Sequence, residues 1–314
     1  MTWKVLVSAP YMQPVLDRFR HVFEENDIEL IVPPVQERLE EEQLLEYVKD
    51  IDGAICGDDR WTERVLEAAP KLRVISKWGT GIDSIDQAAC VELGIAVRNT
   101  PNAFSEAVAD TVMAYILAFA RRLLPINRQM HEGLWEKLPL VSLRECTLGV
   151  IGVGNVGKAV VRRASSFGMQ MLGNDVVEMP PDFLAGTGIC MVSREELLSK
   201  SDFVSLNCDL NPTSYHLVGR RELSLMKPTA YLINTARGPI IDEPALVTVL
   251  NEGRIGGAAL DVFEVEPLPE DSPLRGMANV LLTPHNANSS PEAWERVHHN
   301  TIRNLLEVLN EVAT

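Results

Sequence analysis

The stretch GVIGVGNVGKAVVRRASSFGMQMLGND, residues Gly149–Asp175, decides how this chain is to be read. A short apolar run leads into Gly152-x-Gly154-x-x-Gly157, a segment of helical spacing follows, and a second apolar run ends on Asp175. Each glycine answers a different need: Gly152 allows a tight turn, Gly154 lets backbone approach a pyrophosphate, and Gly157 permits close packing of helix on strand. The helix start that follows attracts phosphate through its amides and dipole. Asp175 lies 23 residues after Gly152, where a carboxylate accepts from ribose hydroxyls and repels a 2′-phosphate. The pattern therefore points to NAD rather than NADP. Glycine turns between strands and helices are common, so strand, helix and terminal acid carry the reading together.

Working outward, short β-branched runs alternate with amphipathic stretches along the whole chain. WKVLVS, IELIV, DGAIC and LRVISK form a first series, with helices expected near 12–26 and 37–48. TLGVIGVG, MQMLGND, DFVSLNC, AYLINT, GGAALDV and NVLLTPH form a second, with helical patterns such as 242–252 between them. This alternation predicts an α/β fold built on parallel sheets. Between the series, Pro101 and Ser105 open a long, largely apolar helix that must be buried in a core or against another subunit. A terminal amphipathic helix is expected from the spacing of Trp294, Val297, Ile302, Leu305, Leu306 and Leu309.

The bulk properties set bounds on function. A chain of 314 residues with 46% hydrophobic content has room for two ordinary domains. Its 44 acidic and 29 basic side chains give a net charge of −15, which repels nucleic acid and anionic lipid. The five cysteines, Cys56, Cys90, Cys146, Cys190 and Cys208, show no C-x-x-C spacing, so no metal site is expected and reduced thiols in a cytoplasmic protein are. The most apolar segment, 111–120, is about half the length a membrane span needs.

Three chemically capable groups follow later strands: Arg237 after AYLINTA, Glu266 in LDVFEVEP, and His285 in LLTPHNAN. The carboxyl ends of parallel strands share one edge, so such residues can converge there. Arginine offers a planar fork for a carboxylate, histidine exchanges a proton near neutral pH, and a glutamate beside it favours imidazolium. Singly, each has a plainer reading: a surface ion pair, a solvated loop before proline, a turn cap.

INTARGPIIDEPALVTVLNEGRIGGAALDVFEVEP resembles the signature of the D-isomer-specific 2-hydroxyacid dehydrogenase family, and GTGIDSID, GVIGVGNVGKAV and TPHNA match its other landmarks in order. The resemblance implies two Rossmann/flavodoxin-like parallel-sheet domains with a cleft between them. Residues 1–100 plus 289–314 would bind substrate and residues 101–288 would bind NAD. It also implies a homodimer formed through the segment after the first crossover helix. Arg237 would clamp the substrate carboxylate, Glu266 would partner the histidine, and His285 would be the acid/base in hydride transfer between nicotinamide and a D-2-hydroxy or 2-oxo acid. Gly152, Gly154, Asn155, Val156, Gly157 and Asp175 would hold the pyrophosphate and adenosine side of NAD. Cys208, Thr235, Ala236 and Asp261 would surround its nicotinamide end. Gly79, Thr80 and Gly81, with Lys77 and Asn102, would meet the substrate.

The nearest likeness within the family is to phosphoglycerate dehydrogenases, which makes 3-phosphoglycerate-like acids candidates. Cys56, however, stands where that resemblance calls for a phosphate-gripping arginine. Asn207 replaces a frequent histidine, Asp110 a usual glutamate, and Asn286 and Asn288 follow His285 where small residues are usual. Lys77 is either an anion ligand or a surface lysine at a strand end. His21, His131, His216, His298 and His299 are expected as surface residues. Two other readings stay open: an NAD(H)-sensing corepressor-like binding protein of the same fold, and oxidation of a non-carbon acid such as phosphite.

Overall fold

A computed structural model describes residues 2–313. The chain divides into two compact units, Met1–Phe104 with Ser290–Thr314, and Ser105–Ser289. In the first, strands β1 (Trp3–Val7), β2 (Ile28–Ile31), β3 (Gly53–Cys56), β4 (Val74–Lys77) and β5 (Ala96–Arg98) form a sheet in the order β2-β1-β3-β4-β5. All its pairings are parallel, an open α/β arrangement of flavodoxin type. Both faces must be covered, which is why β3 and β4 are buried at every position. The helix Leu16–Glu25 covers part of this sheet with Leu16, Phe19 and Phe23.

The terminal helix Pro291–Ala313 belongs to this same unit and packs on β3, β4 and β5. Leu305 reaches so close to β3 that a Cβ on Gly53 would lie 2.8 Å from its Cδ1. Ser76 of β4 donates from Oγ to the Thr301 carbonyl at 2.8 Å, and Trp78 Nε1 donates to His298 Nδ1 at 3.0 Å. His298 is 3% exposed, so it is a satisfied core histidine, contrary to the expectation from sequence.

The second unit carries β6 (Thr147–Ile151), β7 (Gln170–Asn174), β8 (Cys190–Met191), β9 (Phe203–Leu206), β10 (Tyr231–Asn234), β11 (Gly257–Leu260) and β12 (Val280–Leu282). They form one parallel sheet in the order β12-β11-β10-β9-β6-β7-β8. The expected apolar helix is Ser105–Ala120, and it packs with Asn155–Ser166 on one face through Val112, Ile116, Val160 and Val161. Helices Arg194–Lys200, Arg220–Leu225 and Glu243–Asn251 cover the other with Leu197, Leu223 and Leu246. Each such buried aliphatic side chain contributes roughly 1.5–3 kcal/mol.

The strand order reverses between β6 and β9, so the loops after these two strands flank a topological switch point. β5 and β8, absent from the strands expected from sequence, are three and two residues long and lie at sheet edges. No helix among the described residues is long and apolar enough to cross a membrane.

Candidate active site

All seven strands of the second unit are parallel, so their carboxyl ends lie along one edge, and the candidate residues follow those ends. The glycine loop leaves β6. Gly152 has φ +85°, and a Cβ there would meet Cys208 N at 2.5 Å. A Cβ on Gly157 would lie 2.0 Å from the Gly152 carbonyl oxygen, so the helix can start only as close as it does because that atom is missing. Gly154 faces open space, with nothing within 4 Å of its would-be Cβ. The helix Asn155–Ser166 begins there without a side-chain cap, leaving its first amides for an anion.

Asp175, just beyond β7, accepts from Val153 N at 2.6 Å with Oδ2 and from Val177 N at 2.8 Å with Oδ1. The carboxylate is thereby tied to the glycine loop. After β9, burial pushes the half-buried Cys208 thiol up to about 11, so it is protonated at neutral pH. After β10, Thr235 Oγ1 is buried and has no hydrogen-bond partner. An open glycine cradle, uncapped amides, a tethered carboxylate and an orphaned hydroxyl form a donor and acceptor set that fits a dinucleotide.

The turn after β10 carries Arg237. Asn234, fully buried, closes it by donating from Nδ2 to the Arg237 carbonyl at 2.8 Å and accepting from Ala236 N at 3.0 Å. Arg237 Nη1 donates to the Ala236 carbonyl at 2.8 Å. The next residue must be glycine, because a Cβ on Gly238 would lie 1.9 Å from the carbonyl carbon and oxygen of Phe263. This approach locks the arginine turn onto the turn that leads from β11 to Glu266.

Glu266 Oε1 accepts from Phe263 N at 2.9 Å, and its Oε2 lies 2.9 Å from His285 Nδ1. The pair is largely shielded, with side chains 16% and 21% exposed. Neither the solvated loop nor the simple turn cap describes these residues. A carboxylate on Nδ1 fixes the imidazole with a proton there and leaves Nε2 for proton exchange.

His285 adopts φ +48°, a left-handed conformation that a histidine holds only when its surroundings dictate it. Asp261, 1% exposed, supplies that constraint. Its carbonyl accepts from His285 N at 2.7 Å, and its carboxylate accepts from Asn286 N at 2.8 Å, from Ala287 N at 2.9 Å and from Thr283 Oγ1. The backbone of Asn286 is thus part of the turn, while its side chain is exposed. Elsewhere in this unit, Asp110 pairs with Arg163 at 2.6 Å, and Asn207 donates to Ser205 at 3.2 Å.

The remaining candidates lie in the first unit. Gly79 (φ +126°) and Thr80 form a loop pinned to the next strand's exit: Thr100 N donates to the Gly79 carbonyl at 2.8 Å and Thr80 Oγ1 donates to the Thr100 carbonyl at 2.9 Å. Gly81 continues this loop half-buried, and Asn102 is exposed at φ +56°. Lys77 is not a surface lysine: it is 4% exposed and ion-paired with Asp58 at 3.1 Å. Neighbouring Asp59 accepts from Ser8 Oγ at 2.5 Å, Leu39 N at 2.6 Å and Gly57 N at 3.2 Å, yet burial outweighs these bonds and raises its carboxyl to about 6. Cys56 is fully buried, and burial raises its thiol above the ordinary range.

His216 also departs from the surface expectation: it is half-buried, its Nε2 lies 2.6 Å from Glu264, and its ring stacks on Tyr215. His21, His131 and His299 are exposed as expected, His299 lying 3.1 Å from Glu295. The positioning residues Asn234, Gly238 and Thr283 escaped the sequence reading; INTARG did signal a turn, but not which atoms close it.

Residues 113–287 match the model of the D-isomer specific 2-hydroxyacid dehydrogenase NAD binding domain. A glyoxylate reductase of Korarchaeum cryptofilum is 42% identical over 270 residues, 84% of this chain and 81% of that protein. A D-3-phosphoglycerate dehydrogenase of Methanocaldococcus jannaschii is 40% identical over 92% of this chain, which spans 54% of that longer protein. Among solved structures, D-lactate dehydrogenase of Aquifex aeolicus, complexed with NAD and lactic acid, superposes with a TM-score of 0.89 at 29% identity, covering 98% of this chain and 96% of that one.

Proposed function

The chain belongs to the D-isomer-specific 2-hydroxyacid dehydrogenase family and is an NAD-dependent enzyme, and on that premise we propose that it reduces a small 2-oxo acid, using Arg237, Glu266 and His285. The observation that carries this reading is the shielded His285–Glu266 pair, 2.9 Å long, beside the locked arginine turn. NAD, when bound, supplies the two-electron redox partner. His285 gives a proton from Nε2 to the oxygen of the substrate carbonyl, and the Glu266 carboxylate stabilises the imidazolium before that transfer. Arg237 holds the substrate carboxylate in a two-point grip and offsets charge growing on the reacting oxygen.

Asn155 and Val156 serve the pyrophosphate through their amides, Asp175 the adenosine ribose, and Cys208, Thr235, Ala236 and Asp261 the nicotinamide end. The loop Gly79–Thr80–Gly81, with Lys77 and Asn102, is assigned to substrate. The substrate class is glyoxylate-like rather than 3-phosphoglycerate-like, because a buried neutral thiol at Cys56 brings no charge to a phosphate. The protein acts as a cytoplasmic homodimer. Five free cysteines support the compartment. Exposed Leu123, Leu124, Met130, Leu134 and Trp135, following the buried helix Ser105–Ala120, support the dimer.

The test follows NADH absorbance with glyoxylate, hydroxypyruvate, phosphohydroxypyruvate, pyruvate and 2-oxoglutarate. Turnover of glyoxylate or hydroxypyruvate, lost in Arg237→Ala and His285→Ala while NADH still binds, supports the assignment. A preference for phosphohydroxypyruvate overturns the substrate class, and near-normal turnover by His285→Ala overturns the acid/base role.

A further inference from the structure

The helix Ser105–Ala120 is apolar almost throughout, yet Tyr115, 7% exposed, directs its hydroxyl at the loop that carries His285. Tyr115 OH and Thr283 Oγ1 are hydrogen-bonded, and Thr283 Oγ1 in turn donates to Asp261 Oδ1. A carboxylate only accepts, so the direction is determined: Tyr115 donates to Thr283, and Thr283 donates to Asp261. One turn earlier on the same helix face, Thr111 Oγ1 lies 3.4 Å from the Ala287 carbonyl. The helix therefore meets the loop 283–287 at both ends, and Asp261 grips it in the middle through Asn286 N and Ala287 N.

We propose that Tyr115 and Thr283 are positioning residues for His285: their hydrogen-bond relay fixes the Asp261 carboxylate, and Asp261 holds the left-handed turn that keeps His285 Nδ1 on Glu266. Asp261 has only two oxygens to serve two backbone amides and one hydroxyl, so its orientation sets the path of residues 285–287. Without the Thr283 bond the carboxylate can rotate, and the imidazole 2.9 Å from Glu266 is the group whose alignment suffers. Burial raises the Tyr115 phenol to about 12, so it remains a donor throughout the working range. The inference rests on His285 being the acid/base.

The experiment compares Tyr115→Phe, Thr283→Ala, Thr283→Ser and the double variant Tyr115→Phe/Thr283→Ala. Each is read by kcat, KM, the pH profile of kcat, NADH affinity by fluorescence, and the NMR titration of the His285 ring. Tyr115→Phe keeps the ring volume, and Tyr231→Phe, at a partly buried tyrosine that opens β10 at the strand end opposite the loop, is the control. Thr283→Ala is expected to lower kcat about tenfold, the equivalent of ~1.4 kcal/mol on the barrier. KM for the oxo acid stays within about twofold, and NADH affinity falls by less than kcat does, because Asp261 is also assigned to the nicotinamide end. The His285 titration moves to lower pH, and Thr283→Ser restores wild-type values. Tyr115→Phe shifts the same readouts less, and the double variant is no worse than Thr283→Ala.

Unchanged kcat, pH profile and His285 titration in Thr283→Ala overturn the proposal, as does equal loss in Tyr231→Phe. If His285→Ala itself keeps turnover, the acid/base reading fails; if it abolishes turnover while Thr283→Ala is silent, only the relay fails.

Discussion

Replacing Thr235 by valine removes one hydroxyl and keeps the side-chain shape, at a position where that hydroxyl is buried with no partner in the chain. A buried, unsatisfied polar group costs about 1–3 kcal/mol. Thr235→Val should therefore make the cofactor-free protein more stable, by about 1 kcal/mol at the low end of that range. The second unit spans 185 residues, 105 to 289, so the unfolding midpoint should rise by ~2–4 °C. If the hydroxyl serves the cofactor, binding moves the other way: one lost hydrogen bond of about 0.5–1.5 kcal/mol weakens NADH roughly two- to tenfold.

Thermal unfolding with and without NADH reads both effects, because ligand stabilisation follows the ratio of ligand concentration to Kd. Thr235→Ser keeps the hydroxyl and should keep the affinity. A Thr235→Val protein that is less stable without cofactor, or that binds NADH as tightly as wild type, would refute the argument that this oxygen awaits a ligand.

Gly238→Ala places a Cβ 1.9 Å from the Phe263 carbonyl; backbone must shift, so a stability loss of about 3 kcal/mol or more in chemical denaturation, with loss of turnover, is expected. Glu266→Gln removes the negative charge 2.9 Å from His285; imidazolium is then less favoured, and the pH above which reduction slows should move toward acid, which a pH profile of kcat measures. The Asp59 carboxyl should titrate near 6 in a carbon-13 NMR titration. Since the folded chain holds that proton more tightly than the unfolded one, its stabilising contribution is complete below about pH 4 and disappears as pH rises through about 6. The stability difference between wild type and Asp59→Asn should change across that window and stay flat above pH 8.

The features legible from sequence are those set by local pattern. Alternating β-branched runs and helical spacing marked the strands of both sheets, apart from the two- and three-residue edges β8 and β5. Gly152, Gly154 and Gly157 announced their turn because a helix and a strand must meet across it within six residues. What stayed hidden depends on partners distant in the chain. His298 is buried because Trp78, 220 positions away, gives it a proton donor. Lys77 is buried because Asp58 pairs with it at the end of the neighbouring strand. Gly238 reads as an ordinary turn glycine until Phe263 is packed against it. The grip of Asp261 on residues 283–287 spans 22 or more positions, beyond the reach of any periodicity.

The first unit is assembled from two pieces, residues up to 104 and those from 290 onward, with a contiguous unit between them. During synthesis, β3 and β4 emerge long before the helix Pro291–Ala313 that covers them through Leu305, Thr301 and His298. At about 5–20 residues per second, the 185 intervening residues take roughly 10–40 s to make. For that interval an apolar sheet face waits without its lid while the middle of the chain is free to fold. The ribosome-bound protein is consequently most exposed to aggregation and to chaperone capture along β3 and β4, and protection there arrives only with residues 291–313.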